Sequence, residues 1–162
     1  MQKKVIYSVY ILKRIARDLM RFSEEELPNE ALAKLIGYRC LFEGAIYIKI
    51  TDWVTGEFEK TRSSASFTNK GLRDCSLMLS ERYPDSINPP REIGLFHSHP
   101  FGTEPFFSLK DLSTFLLFPY GTPGNVFIIA DPISKYFKVF QIRGAIDGGL
   151  FLAPIKYVLY ST

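Results

Sequence analysis

Residues 93–100 of the chain are Ile-Gly-Leu-Phe-His-Ser-His-Pro, and residues 108–111 are Ser-Leu-Lys-Asp. The first stretch carries both histidines of the sequence, His97 and His99, behind an apolar run rich in strand formers. Side chains at positions i and i+2 of a strand leave the same face, so the two imidazoles are expected to point to one place. Pro100 ends the strand because it has no N–H for the hydrogen-bond ladder.

The second stretch predicts the start of a helix that brings a carboxylate to the histidines. Ser108 is a suitable N-cap residue, and apolar residues at helical spacing follow Asp111. A His-x-His pair alone is a weak signal, since two such histidines also occur at strand ends without a metal. Together with Asp111, however, His97 and His99 make three N/O ligands. This set suits zinc with a fourth position left for water, as in catalytic sites.

The combined pattern is His-x-His-Pro, seven residues, then Ser-x-x-Asp, and it resembles the JAMM motif of the MPN-domain zinc metalloproteases. The match is complete at His97, His99, Pro100, Ser108 and Asp111. The resemblance implies an α/β fold: a single MPN domain over residues 1–162 with a mixed, mostly antiparallel sheet flanked by helices. The layered architecture would be similar to that of cytidine deaminases.

The resemblance also implies a catalytic glutamate in a Pro-x-Glu stretch before a glycine that ends a strand. Pro28, Glu30 and Gly37 match this arrangement, so Glu30 is the predicted general base, although an acidic residue beside Pro-Asn is more often a solvated turn residue. Other glutamates compete for the role, three in a charged run and one at a predicted hairpin turn: Glu24, Glu25, Glu26 and Glu43.

Zinc held by His97, His99 and Asp111 would lower the pKa of its water ligand to roughly 7. Glu30 would take the water proton and pass it to the leaving amine. The resemblance implies that the Ser108 hydroxyl stabilises the oxyanion, while its simpler role is the helix N-cap; one hydroxyl is expected to fill only one role at a time. Ser98, on the opposite strand face, is expected to be structural.

The substrate comes from the resemblance alone. It implies hydrolysis of the amide or isopeptide bond after the C-terminal Gly-Gly of ubiquitin or a ubiquitin-like protein. An extended tail is expected to bind as an added strand, with the loop 101–107 narrowing the approach so that only glycine passes. The alternative role of these loop residues is ordinary hydrophobic packing. The long segment 52–91 is a candidate docking surface for the folded part of the substrate, in particular its predicted helix 69–83 with the flanking residues. A larger protein complex is a candidate partner. The zinc-binding insertion that some family members carry after the Asp helix is absent.

Composition limits the other classes of function. With 162 residues, 46% of them hydrophobic, the chain can form one domain with a sizeable core. Basic residues are scattered, which argues against nucleic-acid binding. Cys40 and Cys75 form no metal or disulfide pattern. Without an apolar signal segment or a run of roughly 20 apolar residues, we expect a cytoplasmic protein that does not enter the membrane.

Three rival functions were weighed against this one. An inactive MPN scaffold that serves as a protein–protein interaction module is the main alternative, and zinc content would distinguish it from the enzyme. A zinc deaminase would need His-x-Glu with Pro-Cys-x-x-Cys. A metzincin-type protease would need His-Glu-x-x-His. The sequence contains neither of these two motifs.

Hydrophobic periodicity predicts the remaining elements. The predicted helices cover residues 11–22, 69–83 and 109–118. The predicted strands cover residues 5–10, 32–40, 45–51, 93–99, 125–130 and 136–142, with a last strand or short helix in 151–160. The strands 125–130 and 136–142 are expected to pair antiparallel, and residues 86–91 are expected to be a linker.

Overall fold

The structure is a computed structural model that describes residues 8–116 and 120–162. In these ranges the elements follow one another as β1 (Val9–Leu12), α1 (Lys13–Glu25), β2 (Leu32–Phe42), β3 (Ala45–Val54), β4 (Phe58–Lys60), β5 (Ala65–Phe67), α2 (Asn69–Arg82), β6 (Arg91–Ser98), α3 (Leu109–Leu116), β7 (Val126–Asp131), β8 (Tyr136–Gly144), β9 (Leu150–Pro154) and β10 (Tyr157–Tyr160). The beginning of the predicted first strand and the end of the third predicted helix lie outside the described residues.

One large mixed sheet organises the fold. Its eight strands lie in the order β10-β1-β3-β2-β6-β7-β8-β9, while β4 and β5 form a separate two-stranded sheet. Strand β1 runs parallel to β10 and β3, and β6 runs parallel to β7; the other neighbours are antiparallel. The predicted α/β class with a mixed sheet flanked by helices is therefore confirmed.

Helices cover both faces of this sheet. On one face, Ile15 and Leu19 of α1 belong to a core with the buried side chains of the central strands. On the other face, Cys75 of α2 packs with Ile36 and Val54, and Phe115 of α3 stacks on Phe127 at a centroid distance of 4.2 Å. Strands in the middle of the sheet are consequently apolar on both sides, and every residue of β7 is buried.

Gly37 corrects one expectation of the sequence analysis, because it does not end its strand. Strand β2 continues to Phe42, with a register shift against β3 between Ile36 and Gly37. A Cβ atom at Gly37 would lie 1.8 Å from the carbonyl oxygen of Lys49. The glycine is thus needed for the close approach of two backbones within the sheet.

The C-terminal residues differ most from the expected order. The segment predicted as one strand or a short helix forms two strands at opposite edges of the sheet, β9 beside β8 and β10 beside β1. Tyr157 of β10 lies opposite Val9 in a parallel pair. Helix α1 also begins at Lys13 rather than Ile11, because the preceding residues extend β1. None of the helices described is long and apolar enough to cross a membrane.

Candidate metal centre

The sheet topology brings four predicted side chains together at one end of β6. His97 is the penultimate residue of β6, and His99 follows the strand directly. Since β2 runs antiparallel to β6, with Leu32 opposite His97, the residues before β2 lie beside the end of β6, and Glu30 is among them. Asp111 lies in the first turn of α3.

The distances define a tight cluster of imidazoles and carboxylates. His97 Nε2 lies 3.1 Å from Asp111 Oδ1, and His99 Nε2 lies 3.0 Å from Asp111 Oδ2. Glu30 Oε1 is 3.4 Å from His99 Nε2 and 3.9 Å from His97 Nδ1. The Glu30 side chain is 3% exposed and that of Asp111 is 13% exposed, so the cluster is largely shielded from water.

This cluster has the chemistry of a metal site. Glu30, His97 and His99 are buried, and each offers one ligand atom, all within 4.8 Å of one another; this group could hold a metal ion. Asp111 is not part of this group of three, but it directs one oxygen to the Nε2 atom of each histidine. His99 Nδ1 is buried with no hydrogen-bond partner among the described residues, which leaves Nε2 as the polar contact point of this ring. Glu30 and Asp111 thus place two largely shielded carboxyl groups beside the histidines, and shielded carboxylates are usually paired with a cation.

Burial shifts the ionisation of the cluster in the absence of a metal. Burial, with repulsion from Asp111, raises the pKa of Glu30 to about 7 against the opposing charges of His99 and Lys110. Burial also lowers the pKa of His97. For Asp111, burial acts upward, but hydrogen bonds from both histidines outweigh it and hold the pKa well below its usual range. The metal-free cluster therefore has one carboxyl group, Glu30, poised to titrate near neutrality.

These shifts predict how the metal-stripped protein responds to pH. Glu30 has a higher pKa in the folded chain than its ordinary 4.5. Between pH 4.5 and about 7 the unfolded chain releases this proton while the folded chain retains it, so the free energy of unfolding falls as the pH rises. Relative to Glu30→Gln, the wild type should lose about 3 kcal/mol of unfolding free energy over this range. His97 and Asp111 titrate in both proteins, so their contributions largely cancel.

Urea unfolding of both chelator-treated proteins between pH 4.5 and 7.5 measures this difference. If the difference in unfolding free energy between wild type and Glu30→Gln stays constant from pH 4.5 to 7.5, Glu30 is not held in a buried, metal-free cluster.

Ser108 caps helix α3 and also braces Asp111. The Asp111 N–H donates to Ser108 Oγ at 3.1 Å, and the Ser108 N–H donates to Asp111 Oδ2 at 2.8 Å. This reciprocal arrangement is a capping box, so the N-cap prediction is confirmed. The cap uses an acceptor position of the hydroxyl and leaves its proton free to donate. The cap therefore does not prevent donation by this hydroxyl, and its role towards an oxyanion stays a prediction.

The competing glutamates lie away from the cluster. Glu24 and Glu26 form ion pairs with Lys135 and Lys60. Glu25 is the last residue of α1, and Glu43 occupies the β2–β3 turn at the opposite end of β2 from Glu30. Of the glutamates considered, the structure brings only Glu30 to the histidines.

The β4–β5 hairpin contributes to the site, which the sequence analysis did not foresee. The carbonyl oxygen of Thr61 accepts the Glu30 N–H at 2.8 Å. Ser63, Ser64 and Ser66 line a cavity of about 50 Å³ that also contacts Glu30, His97, Lys110 and Asp111. The short strands of this hairpin carry few apolar residues, so their periodicity gave no clear signal.

Two phenylalanines form an aromatic wall beside His99. The ring centroids of Phe101 and Phe106 lie 5.6 and 5.2 Å from that of His99, and the two rings stack on each other at 6.1 Å. Both side chains are about half exposed. The loop 101–107 therefore borders the candidate metal centre, as expected, and presents an apolar surface beside it.

Comparison of this chain with solved structures shows a similarity in fold. The solution structure of protein DSY2949 from Desulfitobacterium hafniense superimposes with a TM-score of 0.57 at 21% sequence identity, covering 95% of this chain and 94% of that one. No protein-family model matches the chain, and no curated protein matches it. The likeness to DSY2949 extends over nearly the whole chain and concerns the fold alone.

Proposed function

We propose that this chain is a zinc-dependent peptidase or isopeptidase of the JAMM type, in which His97, His99 and Asp111 hold the metal. The observation that carries the proposal is the convergence of both His Nε2 atoms on the two oxygens of Asp111, at 3.1 and 3.0 Å, with Glu30 beside them. Glu30 belongs to the same buried group and is the alternative third ligand. We assign the ligand role to Asp111 because it meets both histidines, which leaves Glu30 free for proton transfer.

The reaction we propose is hydrolysis of an amide bond. When bound, zinc would supply a Lewis acid that lowers the pKa of a water molecule to roughly 7. Glu30 would accept a proton from the attacking water as the water oxygen adds to the carbonyl carbon. Glu30 then returns the proton to the nitrogen as the C–N bond breaks. The free proton of Ser108 Oγ is available to the developing oxyanion. The low exposure of Glu30 keeps bulk water from competing for the proton.

The substrate we propose is the C-terminal Gly-Gly tail of ubiquitin or a ubiquitin-like protein, joined to an amine. The half-exposed wall of Phe101 and Phe106 beside His99 supports a narrow approach to the metal. For the folded part of the substrate we propose docking on the segment 52–91, where Leu72 and Leu77 of α2 are exposed. An inactive scaffold with the same fold remains the alternative function and would neither bind zinc nor cleave such tails.

A series of tail variants tests the proposed function. Fusions ending in Gly-Gly should be cleaved, whereas Gly-Ala and Ala-Gly tails should react about 100-fold more slowly, because an added methyl group meets the aromatic wall. Phe106→Ala should relax this discrimination. Phe151→Ala, which removes a similarly exposed ring from β9, should leave it unchanged.

The measurement is kcat/KM for each tail with the zinc-loaded protein. Equal rates for Gly-Gly and Gly-Ala tails would reject the steric filter. Failure to cleave any Gly-Gly tail by a protein that contains zinc would reject the proposed substrate class.

A further inference from the structure

Ser98 stands between the two histidines and makes contacts that a merely space-filling residue would not make. It is fully buried, with its side chain on the sheet face opposite to the imidazoles. Its hydroxyl oxygen accepts the Ala31 N–H at 2.8 Å, and its own backbone N–H donates to the Ala31 carbonyl at 3.1 Å. Ala31 directly follows Glu30, so Ser98 links the strand of the histidines to the residue beside the glutamate.

The contact replaces one rung of the β2–β6 ladder. Leu32 lies opposite His97, so Ala31 and Ser98 form the next pair of this antiparallel ladder. Such a pair normally exchanges two backbone hydrogen bonds. Here one of the two is made, but the Ala31 N–H turns to the Ser98 side chain instead of the Ser98 carbonyl oxygen. The backbone of β2 therefore leaves the ladder at this point.

This departure orients the peptide that joins Glu30 to Ala31. Because a peptide unit is planar, holding the Ala31 N–H also fixes the orientation of the Glu30 carbonyl group. On its other side, the Glu30 N–H is held by the Thr61 carbonyl oxygen at 2.8 Å. Glu30 is thus held from both sides, and its carboxylate lies 3.4 Å from His99 Nε2.

We propose that Ser98 is a positioning residue, whose hydroxyl holds the Glu30–Ala31 peptide so that the Glu30 carboxylate faces the histidines. The inference rests on the proposed function for its consequence in catalysis, but the positioning itself is a property of the folded chain. Alanine at this position would leave the buried Ala31 N–H without its acceptor, or would draw β2 one rung further along the ladder. Either change moves Glu30 without touching a histidine or Asp111.

The test compares Ser98→Ala with wild type in the full chain. The expected result is a fall in kcat of about 30-fold on a Gly-Gly fusion, with KM and zinc affinity unchanged within about twofold, since a displacement of about 1 Å can cost 100-fold in rate. Ser98→Cys retains a weak acceptor at nearly the same volume, so its kcat should lie between the values of wild type and Ser98→Ala. Ser23→Ala is the matched control, because Ser23 is equally buried but donates to the Met20 carbonyl oxygen in α1.

Two measurements on the metal-free protein are independent of activity. In Ser98→Ala, hydrogen exchange of the Ala31 amide should accelerate by about 100-fold, since its opening no longer breaks a buried hydrogen bond. The ¹³C signal of the Glu30 carboxyl group should also shift at constant pH. Unchanged exchange and an unmoved signal in the folded variant would overturn the positioning role.

Kinetics can overturn the inference separately. A folded Ser98→Ala protein with wild-type kcat would show that Glu30 does not depend on Ser98. If Ser98→Ala does not fold, Ser98→Cys carries the same comparison against Ser23→Ala. Wild-type protein that cleaves no Gly-Gly tail counts against the proposed function alone, since the exchange and carboxyl measurements still decide whether Ser98 positions Glu30.

Discussion

Replacing Glu30 by glutamine is expected to lower kcat by about 1000-fold while the protein keeps its fold and its zinc. The amide preserves the shape of the side chain but cannot accept a proton, and general-base catalysis typically contributes 100- to 10,000-fold. Zinc should remain because His97, His99 and Asp111 are unchanged. The measurements are steady-state kinetics on a Gly-Gly fusion and zinc content after gel filtration.

Glu26→Gln is the control for this substitution. Glu26 is close in sequence and pairs with Lys60 outside the cluster, so its replacement should leave kcat unchanged. Loss of zinc from Glu30→Gln would instead identify Glu30 as a metal ligand, as its place in the buried group with His97 and His99 permits. Full activity without the carboxylate would remove Glu30 from the mechanism.

The second large effect is expected from replacing the proposed metal ligands. His97→Ala, His99→Ala and Asp111→Asn should each reduce zinc content from about one ion per chain to background, with activity falling to background as well. Each variant removes one of only three proposed protein ligands, and a catalytic site of this type has no spare one. Elemental analysis and titration with a zinc-sensitive dye measure the loss.

Asp74→Asn provides the control for Asp111→Asn, because Asp74 lies on a helix but pairs with Lys70 at the surface. This variant should retain zinc and activity. Wild-type protein that is active after exhaustive chelation, with no metal added, would contradict the metal mechanism. Zinc retained by His97→Ala and His99→Ala together would place the metal elsewhere.

Local pattern was sufficient for most secondary structure. Helix α2 and the pairing of β7 with β8 follow from periodicity and turn residues, because these elements are formed by residues near one another in sequence. Periodicity did not divide the C-terminal segment 151–160 into the two strands β9 and β10. Strand β10 pairs with β1, and periodicity identifies a strand but does not say which distant strand it pairs with.

Gly37 shows a similar limit. The resemblance to the JAMM family implied that this glycine ends a strand. The reason for glycine is instead the carbonyl oxygen of Lys49, which occupies the space of a side chain. A contact of this kind depends on the neighbouring strand and cannot be read from the residues on either side of Gly37.

The candidate donors follow from the sequence alone, because His97 and His99 are spaced for one strand face and Asp111 lies three residues after a helix cap. That Glu30 lies beside those donors, and not Glu24, Glu25, Glu26 or Glu43, depends on the three-dimensional fold. The physical reason is the antiparallel pairing of β2 with β6, which places the start of one strand at the end of the other across 67 residues of sequence. The Ser98 hydroxyl then turns the chain at Ala31, and no local pattern specifies a hydrogen bond between residues so far apart.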